Sequence, residues 1–252
     1  MPHFAKIKII MGFDVKITTK FNVLDLLAPF TCRGCGALGS LLCECCKKYN
    51  IRSIPGICSR CRKNLKMCSC EVPVVAVGYR EGVLARLVED YKYQSIRATA
   101  GVLAELMAAS LRGFLVGEVV VVPLPTIGKH VRERGFDHTL LLAKKLAWIR
   151  KWKVEKVLER LNKTVQVGSD VEKRKEQAKG AYGVSKKFSG QLKEGVTYLL
   201  VDDVWTTGAS MEAAIQAMRK AGAKKIVGAV ILVPTEDSTS EGDIGDIKKA
   251  EL

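Results

Sequence analysis

Two adjacent carboxylates, Asp202 and Asp203, directly follow the short apolar run Tyr198–Val201. The run has the composition of a central strand covered on both faces, and open α/β sheets bind ligands at the carboxyl ends of their strands. Carboxylates accept hydrogen bonds from vicinal sugar hydroxyls, and Mg²⁺ can balance the repulsion between them. The pair therefore predicts a binding site at the end of a strand; an acid-rich turn is the simpler alternative.

A hydroxyl-rich loop with one glycine comes next, before the helical composition of Met211–Ala221. Gly208 permits a positive φ and a close backbone approach, and amides at a helix N-terminus bind anions. A helix cap at Thr206 or Thr207 is the alternative, and Trp205 is interpreted as a wall or packing residue. The predicted phosphate cradle is Thr206, Thr207, Gly208, Ala209 and Ser210.

Cations are concentrated in Pro123–Asp137, which we predict to be one long loop. Arg132 and Arg134 follow a strand there, and guanidinium groups pair well with phosphate oxygens. We therefore predict that they contact a pyrophosphate; a solvated basic loop is the alternative. No base or nucleophile is readable around His130 and His138, so both are interpreted as structural.

All nine cysteines fall between Cys32 and Cys70, mostly in closely spaced pairs. Paired thiolates grip tetrahedral Zn²⁺, and a set without histidine forms closed, structural sites. The simplest division is sequential: Cys32, Cys35, Cys43 and Cys46 hold one ion, and Cys58, Cys61, Cys68 and Cys70 hold a second. Cys45 could replace Cys46. Interleaved pairing and a single occupied site stay open. Basic neighbours such as Arg33 and Lys47 supply charge for nucleic acid or protein, or are solvated surface.

The elements that position these groups alternate between strands and helices, which predicts a mainly parallel α/β sheet flanked by helices. Strands are expected at Val74–Tyr79, Glu118–Val122, Gly195–Asp202 and Lys224–Val233, and helices at Gly82–Lys92, Ala98–Leu111 and Thr139–Trp148. The predicted organisation is an N-terminal extension and lead-in helix (1–30), a cysteine-rich module (31–72), an α/β domain (73–235) and a disordered acidic tail (236–252).

Composition gives a net charge of +15, which favours polyanionic partners, nucleic acid first. A merely basic soluble protein with a phosphate site is the alternative. No apolar run of about 18 residues is present, so no membrane insertion is expected. The N-terminus lacks a clean signal peptide. We therefore expect a cytoplasmic protein.

The segment Asp202–Ser210 resembles the fingerprint of type I phosphoribosyltransferases, which bind phosphoribosyl pyrophosphate (PRPP). The resemblance implies that Asp202 and Asp203 hold the ribose hydroxyls and that Thr206–Ser210 hold the 5′-phosphate. Combined with the cysteine pairs, Tyr91-Lys92-Tyr93 and Arg132-Glu-Arg-Gly-Phe136, it extends to the ComF family (competence protein F) over about residues 21–235. Asp137-His138 stands where that family usually has Asn-Gln.

Membership of that family implies a zinc-ribbon module joined to a phosphoribosyltransferase domain that binds PRPP with Mg²⁺. It implies that Lys92, Arg132 and Arg134 contact phosphates and that Gln166 and Arg174 belong to a flexible loop. It also implies DNA uptake in natural transformation, with single-stranded DNA and a helicase-type protein as partners. The alternative is an active phosphoribosyltransferase with an amine or base acceptor, unrelated to DNA uptake; the sequence leaves turnover and the acceptor open.

Overall fold

A computed structural model describes residues 29–59, 68, 72–93, 97–161, 180–190 and 192–235. The predicted N-terminal extension, the flexible loop with Gln166 and Arg174, and the acidic tail lie outside these residues. Pro29 and Phe30, the described end of the predicted lead-in helix, are not helical.

The centre of the fold is a six-stranded sheet in the order β1-β2-β8-β7-β3-β4. Neighbours from β2 to β4 are parallel, and β1 pairs antiparallel with β2 at one edge. The short strands β5 and β6 form a separate antiparallel pair. The strands are β1 Ile54–Cys58, β2 Pro73–Tyr79, β3 Val119–Pro123, β4 Lys153–Val154, β5 Leu158–Arg160, β6 Tyr182–Val184, β7 Thr197–Val201 and β8 Lys225–Val233.

Helices cover both faces of this sheet. Alternate residues of the buried strands point to opposite sides, as the period of two requires. Val121 and Leu199 enter one apolar core, while Val120 and Leu200 enter the other. The described helices are α1 Glu44–Asn50, α2 Gly82–Tyr93, α3 Thr99–Ser110, α4 Gly128–Arg134, α5 His138–Arg150 and α6 Ala209–Lys220, with a 3₁₀ turn at Lys186–Phe188.

The mainly parallel sheet and its four long strands are confirmed, with boundaries within a few residues of those predicted. The prediction of one loop over Pro123–Asp137 is wrong, because α4 occupies its second half. Gly135, with φ of 72°, ends that helix in the left-handed conformation. None of the described helices is long and apolar enough to cross a membrane.

The cysteine segment is built into the same sheet. Its strand β1 pairs with β2 through Ile54 opposite Ala76 and Cys58 opposite Pro73. Leu41 and Leu42 are buried in the core that α2 and α3 also enter. The predicted boundary between the cysteine-rich module and the α/β domain, at residue 72, therefore lies between two strands that pair in the same sheet.

Candidate functional site

The acid pair leaves the sheet at the carboxyl end of β7, as the sequence predicts. The Asp202 amide donates to the Ala229 carbonyl at 3.0 Å, and the Asp203 carbonyl accepts from Ile231 and Leu232, both at 3.0 Å. The Asp203 amide donates to Asp202 Oδ1 at 2.9 Å. Strand β8 therefore fixes the backbone on which both carboxylates stand.

The two carboxylates have different surroundings. Asp202 is half-buried and lines a small cavity of about 50 Å³ beside the following loop. Asp203 is buried, with Oδ1 2.9 Å from Lys92 Nζ and Oδ2 3.0 Å from His138 Nε2. Asp202 thus opens onto the cavity, and Asp203 lies within the protein.

These surroundings move the two pKa values in opposite directions. Burial, together with the charge of Asp203, raises the pKa of Asp202 to about 8. Burial also opposes the ionisation of Asp203, but His138 and Lys92 outweigh it and lower the pKa of that carboxyl to about 2. The fold therefore favours the ionised form of Asp203 and opposes a second negative charge on Asp202.

The predicted phosphate cradle is a tight turn that opens onto the N-terminus of α6. Gly208 has φ of 80°, and a Cβ there would lie 2.2 Å from the ring nitrogen of Trp205. The Thr207 hydroxyl accepts from the Ala209 amide at 3.4 Å. Trp205 is buried beneath the turn, which agrees with its interpretation as a packing residue. The small cavity is lined by Asp202, Val204, Trp205, Thr206, Thr207, Gly208, Ser210 and Met211.

The predicted cations are distributed over two helices. Lys92, at the end of α2, lies on Asp203 in this structure. Arg134, at the end of α4, contacts His138 Nδ1 at 3.0 Å and stacks over Tyr93 at 5.7 Å. Arg132 is on the exposed face of α4. The structure therefore brings Lys92 to Asp203 and Arg134 to the neighbouring His138, and it leaves Arg132 facing solvent.

His138 is the residue of this site that sequence reasoning missed. Its buried ring lies between Arg134 and Asp203, and its carbonyl accepts from Tyr91 Oη at 2.5 Å. Asp137 places the ring by capping α5 through the Leu140 amide, at 3.1 Å. The sequence carried one signal for this residue, which is that Asp137-His138 stands where the ComF family usually has Asn-Gln. The contact with Asp203 could not be predicted, because it joins segments that are distant in the sequence.

Four cysteines form a compact cluster in which the sulfur atoms of Cys32, Cys35, Cys43 and Cys46 all lie within 4.8 Å of one another. Tetrahedral Zn–S bonds of about 2.3 Å separate sulfur atoms by about 3.8 Å, so the cluster fits one zinc ion. Cys45 is exposed and outside this cluster. The predicted first set is therefore compatible with a metal site that uses Cys46.

The local fold closes this cluster. Gly34 is required because a Cβ there would lie 2.5 Å from Cys46 Sγ. Cys43 caps α1 by accepting from the Cys46 amide. Burial opposes ionisation of Cys32, but amide hydrogen bonds, led by that of Cys43, lower the pKa of this thiol to about 6. Burial and its sulfur neighbours raise the pKa of Cys46 to about 12.

The second predicted cysteine set is described only in part. Cys58 is buried in β1 and Cys68 is half-buried. Cys61 and Cys70 lie outside the described residues, so the second zinc site stays a prediction.

Comparisons with known proteins agree on one domain type. Residues 144–249 match the phosphoribosyl transferase domain. A stretch of 63 residues is 38% identical to orotate phosphoribosyltransferase from Pyrococcus furiosus, covering 25% of this chain and 34% of that protein. The chain thus spans about a third of the length of this curated relative.

Solved structures of low sequence identity are also similar. Glutamine PRPP amidotransferase from B. subtilis, complexed with ADP and GMP, has a TM-score of 0.38 and 17% identity over 56% of this chain and 30% of its own. Adenine phosphoribosyltransferase from Leishmania donovani has a TM-score of 0.39 and 12% identity, covering 71% of this chain and 90% of its own. From the domain match and the parallel sheet, residues 144–249 belong to a phosphoribosyl transferase-type domain, and a cysteine cluster that could hold one zinc ion precedes it.

Proposed function

We propose that the acid pair and the turn after it bind PRPP together with Mg²⁺. The observation that carries the proposal is the half-buried Asp202 carboxylate beside a turn in which Gly208 leaves no room for a side chain. A carboxylate suits ribose hydroxyls, and backbone amides at the start of α6 suit a phosphate. Both groups open onto the same small cavity.

The residues fit a divalent cation because Asp202 supplies a hard oxygen ligand, and a cation would offset the effect of burial and of Asp203 on its negative charge. Bound Mg²⁺ would neutralise charge on the pyrophosphate of the ligand. Thr207 and Ser210 would bind the 5′-phosphate through their hydroxyls. Arg132 and Arg134 would face the pyrophosphate, and Lys92 would hold Asp203 ionised beneath the sugar.

Calorimetric titration with PRPP and Mg²⁺ tests this proposal on the wild type and Asp202→Asn. Loss of a charged acceptor removes about 1.5 to 3 kcal/mol of binding, so we expect affinity to fall about tenfold or more. Glu194→Gln is the matched control, because Glu194 is an exposed acid paired with Lys224 at 3.7 Å. Equal affinity of Asp202→Asn and the wild type would refute the site.

Within this proposal the chain acts as a cytoplasmic ComF-type PRPP-binding protein that contacts single-stranded DNA during uptake, in company with a helicase-type protein. Its cysteine cluster, its net charge of +15 and the exposed Tyr49, with Lys48 over its ring at 5.1 Å, support contact with a polyanion. Binding driven by charge weakens as salt rises. Fluorescence anisotropy with a labelled single-stranded oligonucleotide measures this affinity at several salt concentrations. An affinity that does not change with salt would contradict the proposed contact.

The second candidate function is phosphoribosyl transfer to an amine or base acceptor. The attacking atom would form a bond to the anomeric carbon as pyrophosphate leaves, and Arg132 and Arg134 would stabilise its developing charge. Release of pyrophosphate in the presence of an acceptor distinguishes this activity from binding alone. Release with one acceptor and not others would also identify the substrate class.

A further inference from the structure

Arg33 connects the cysteine cluster to the helix that carries Lys92. It lies between Cys32 and Cys35, and its Nε forms an ion pair with Oδ2 of Asp90 on α2. Asp90 is only 5% exposed, while about a third of the Arg33 side chain is exposed. Arg33 is therefore the charge partner of a buried acid, and the expectation of a nucleic-acid contact or a solvated side chain does not describe it.

The direction of the Arg33 side chain depends on the folded turn that holds the four cysteines together. The Cys32 amide donates to Ala37 at 2.8 Å, and the Arg33 amide donates to Leu41 at 3.0 Å. The adjacent Gly34 packs against Cys46, with no space for a side chain between them. Arg33 can therefore reach Asp90 only while the turn stays folded around the four sulfur atoms.

Helix α2 is held on two sides. Asp90 and Lys92 are two residues apart, so their side chains leave different faces of the helix. Asp90 meets Arg33 on one side, and Lys92 Nζ lies 2.9 Å from Asp203 Oδ1 on the other. The helix is thus clamped between the cysteine cluster and the acid pair.

We propose that Arg33 is a positioning residue that transmits closure of the four-cysteine metal site through Asp90 to α2, and so sets Lys92 against Asp203. The inference rests on the proposed PRPP site. Coupling between two sites is reciprocal. If bound zinc strengthens PRPP binding, bound PRPP must strengthen zinc binding by the same factor.

The test compares Arg33→Met and Asp90→Asn with the wild type, in the full chain loaded with zinc. Arg52→Met is the matched control, because Arg52 is an exposed arginine in the same segment. Metal analysis first establishes that each variant retains zinc. We then expect PRPP affinity to fall about fivefold to tenfold in the first two variants and to stay unchanged in the control.

The effect of PRPP on zinc affinity distinguishes coupling from a merely structural role of Arg33, because only coupling makes each ligand strengthen the binding of the other. Competition with a chelator should show that PRPP tightens zinc binding in the wild type, and that this effect is lost in Arg33→Met and Asp90→Asn. In the Arg33→Met/Asp90→Asn double variant, the loss should be no larger than in either single variant, because both remove one interaction. Additive losses would overturn the inference.

Hydrogen exchange of the α2 amides keeps the inference testable without PRPP. Arg33→Met and Asp90→Asn, with zinc bound, should exchange faster than the wild type across residues 82–93, and Arg52→Met should not. A wild type that fails to bind PRPP would refute the proposed function alone. Unchanged α2 exchange in both variants would overturn the coupling, whatever PRPP does.

Discussion

At the scale of single residues, the fold opposes a negative charge on the Asp202 carboxyl. Its pKa of about 8 lies well above the ordinary value of 3.8, because burial and Asp203 both disfavour the anion. Between these pH values the folded chain retains a proton that the unfolded chain releases. Its contribution to stability is therefore complete below about pH 4 and is lost as pH rises through 8.

Asp202→Asn should remove that pH dependence in the absence of Mg²⁺ and PRPP. We expect the melting temperature of the variant to rise relative to that of the wild type as pH increases from 5 to 9, because only the wild type acquires a second carboxylate charge in this pair. Thermal unfolding monitored by circular dichroism measures the difference. Glu194→Gln should show no such trend, and a constant difference for Asp202→Asn would contradict the raised pKa.

Gly208 is the residue whose lack of a side chain matters most to the cradle. Gly208→Ala should abolish PRPP binding and destabilise the fold, because the new Cβ would collide with Trp205 and φ is 80°. Gly113→Ala is the matched control, with φ of 71° and open space around it. Left-handed strain costs about 1 to 2 kcal/mol in both variants.

The collision at Gly208 adds about 1 to 3 kcal/mol for overpacking. Urea unfolding should therefore show a larger loss of unfolding free energy in Gly208→Ala than in Gly113→Ala, and calorimetry should show PRPP binding only in the latter. Equal losses of unfolding free energy in the two variants would contradict this prediction, because they would mean that the Trp205 side chain shifts to accommodate the added methyl group.

At the scale of elements, α1 determines which of two adjacent cysteines joins the four-sulfur cluster. The helix turns Cys46 inward to the cluster and leaves Cys45 exposed. Cys46→Ser should lose one zinc equivalent relative to the wild type, whereas Cys45→Ser should retain it, because a serine hydroxyl replaces a thiolate ligand only in the first. Metal analysis of purified protein measures both, and an equal zinc content would contradict the assignment.

Sequence patterns predicted those parts of the site that lie within one short segment. The apolar run before Asp202 and the glycine after it are local signals, and both describe the structure well. The contacts of Lys92, His138 and Asp203 could not be read, because they arise only when the strand order brings α2 and α5 beside the end of β7. The helix α4 was missed because five of its seven residues are charged or histidine and none is buried, so it has no apolar face.

At the scale of the whole molecule, the acidic tail opposes the basic remainder. Residues 236–252 contain six acids and two lysines, so the chain without them has a net charge of +19 instead of +15. Truncation after residue 235 should strengthen binding of single-stranded DNA at low salt, because like charge on the tail repels phosphates. Anisotropy titrations of both forms at two salt concentrations measure this effect, which should shrink at the higher concentration.

Strand β1 has a further consequence for the whole molecule, because it covers the outer edge of β2. An uncovered edge of a buried, valine-rich strand offers free amide and carbonyl groups to a strand of another chain. Pairing with β1 therefore covers an edge through which copies of the chain could otherwise associate. A chain that loses its zinc and releases β1 should aggregate through β2, with light scattering rising on chelation and subsiding when zinc is restored.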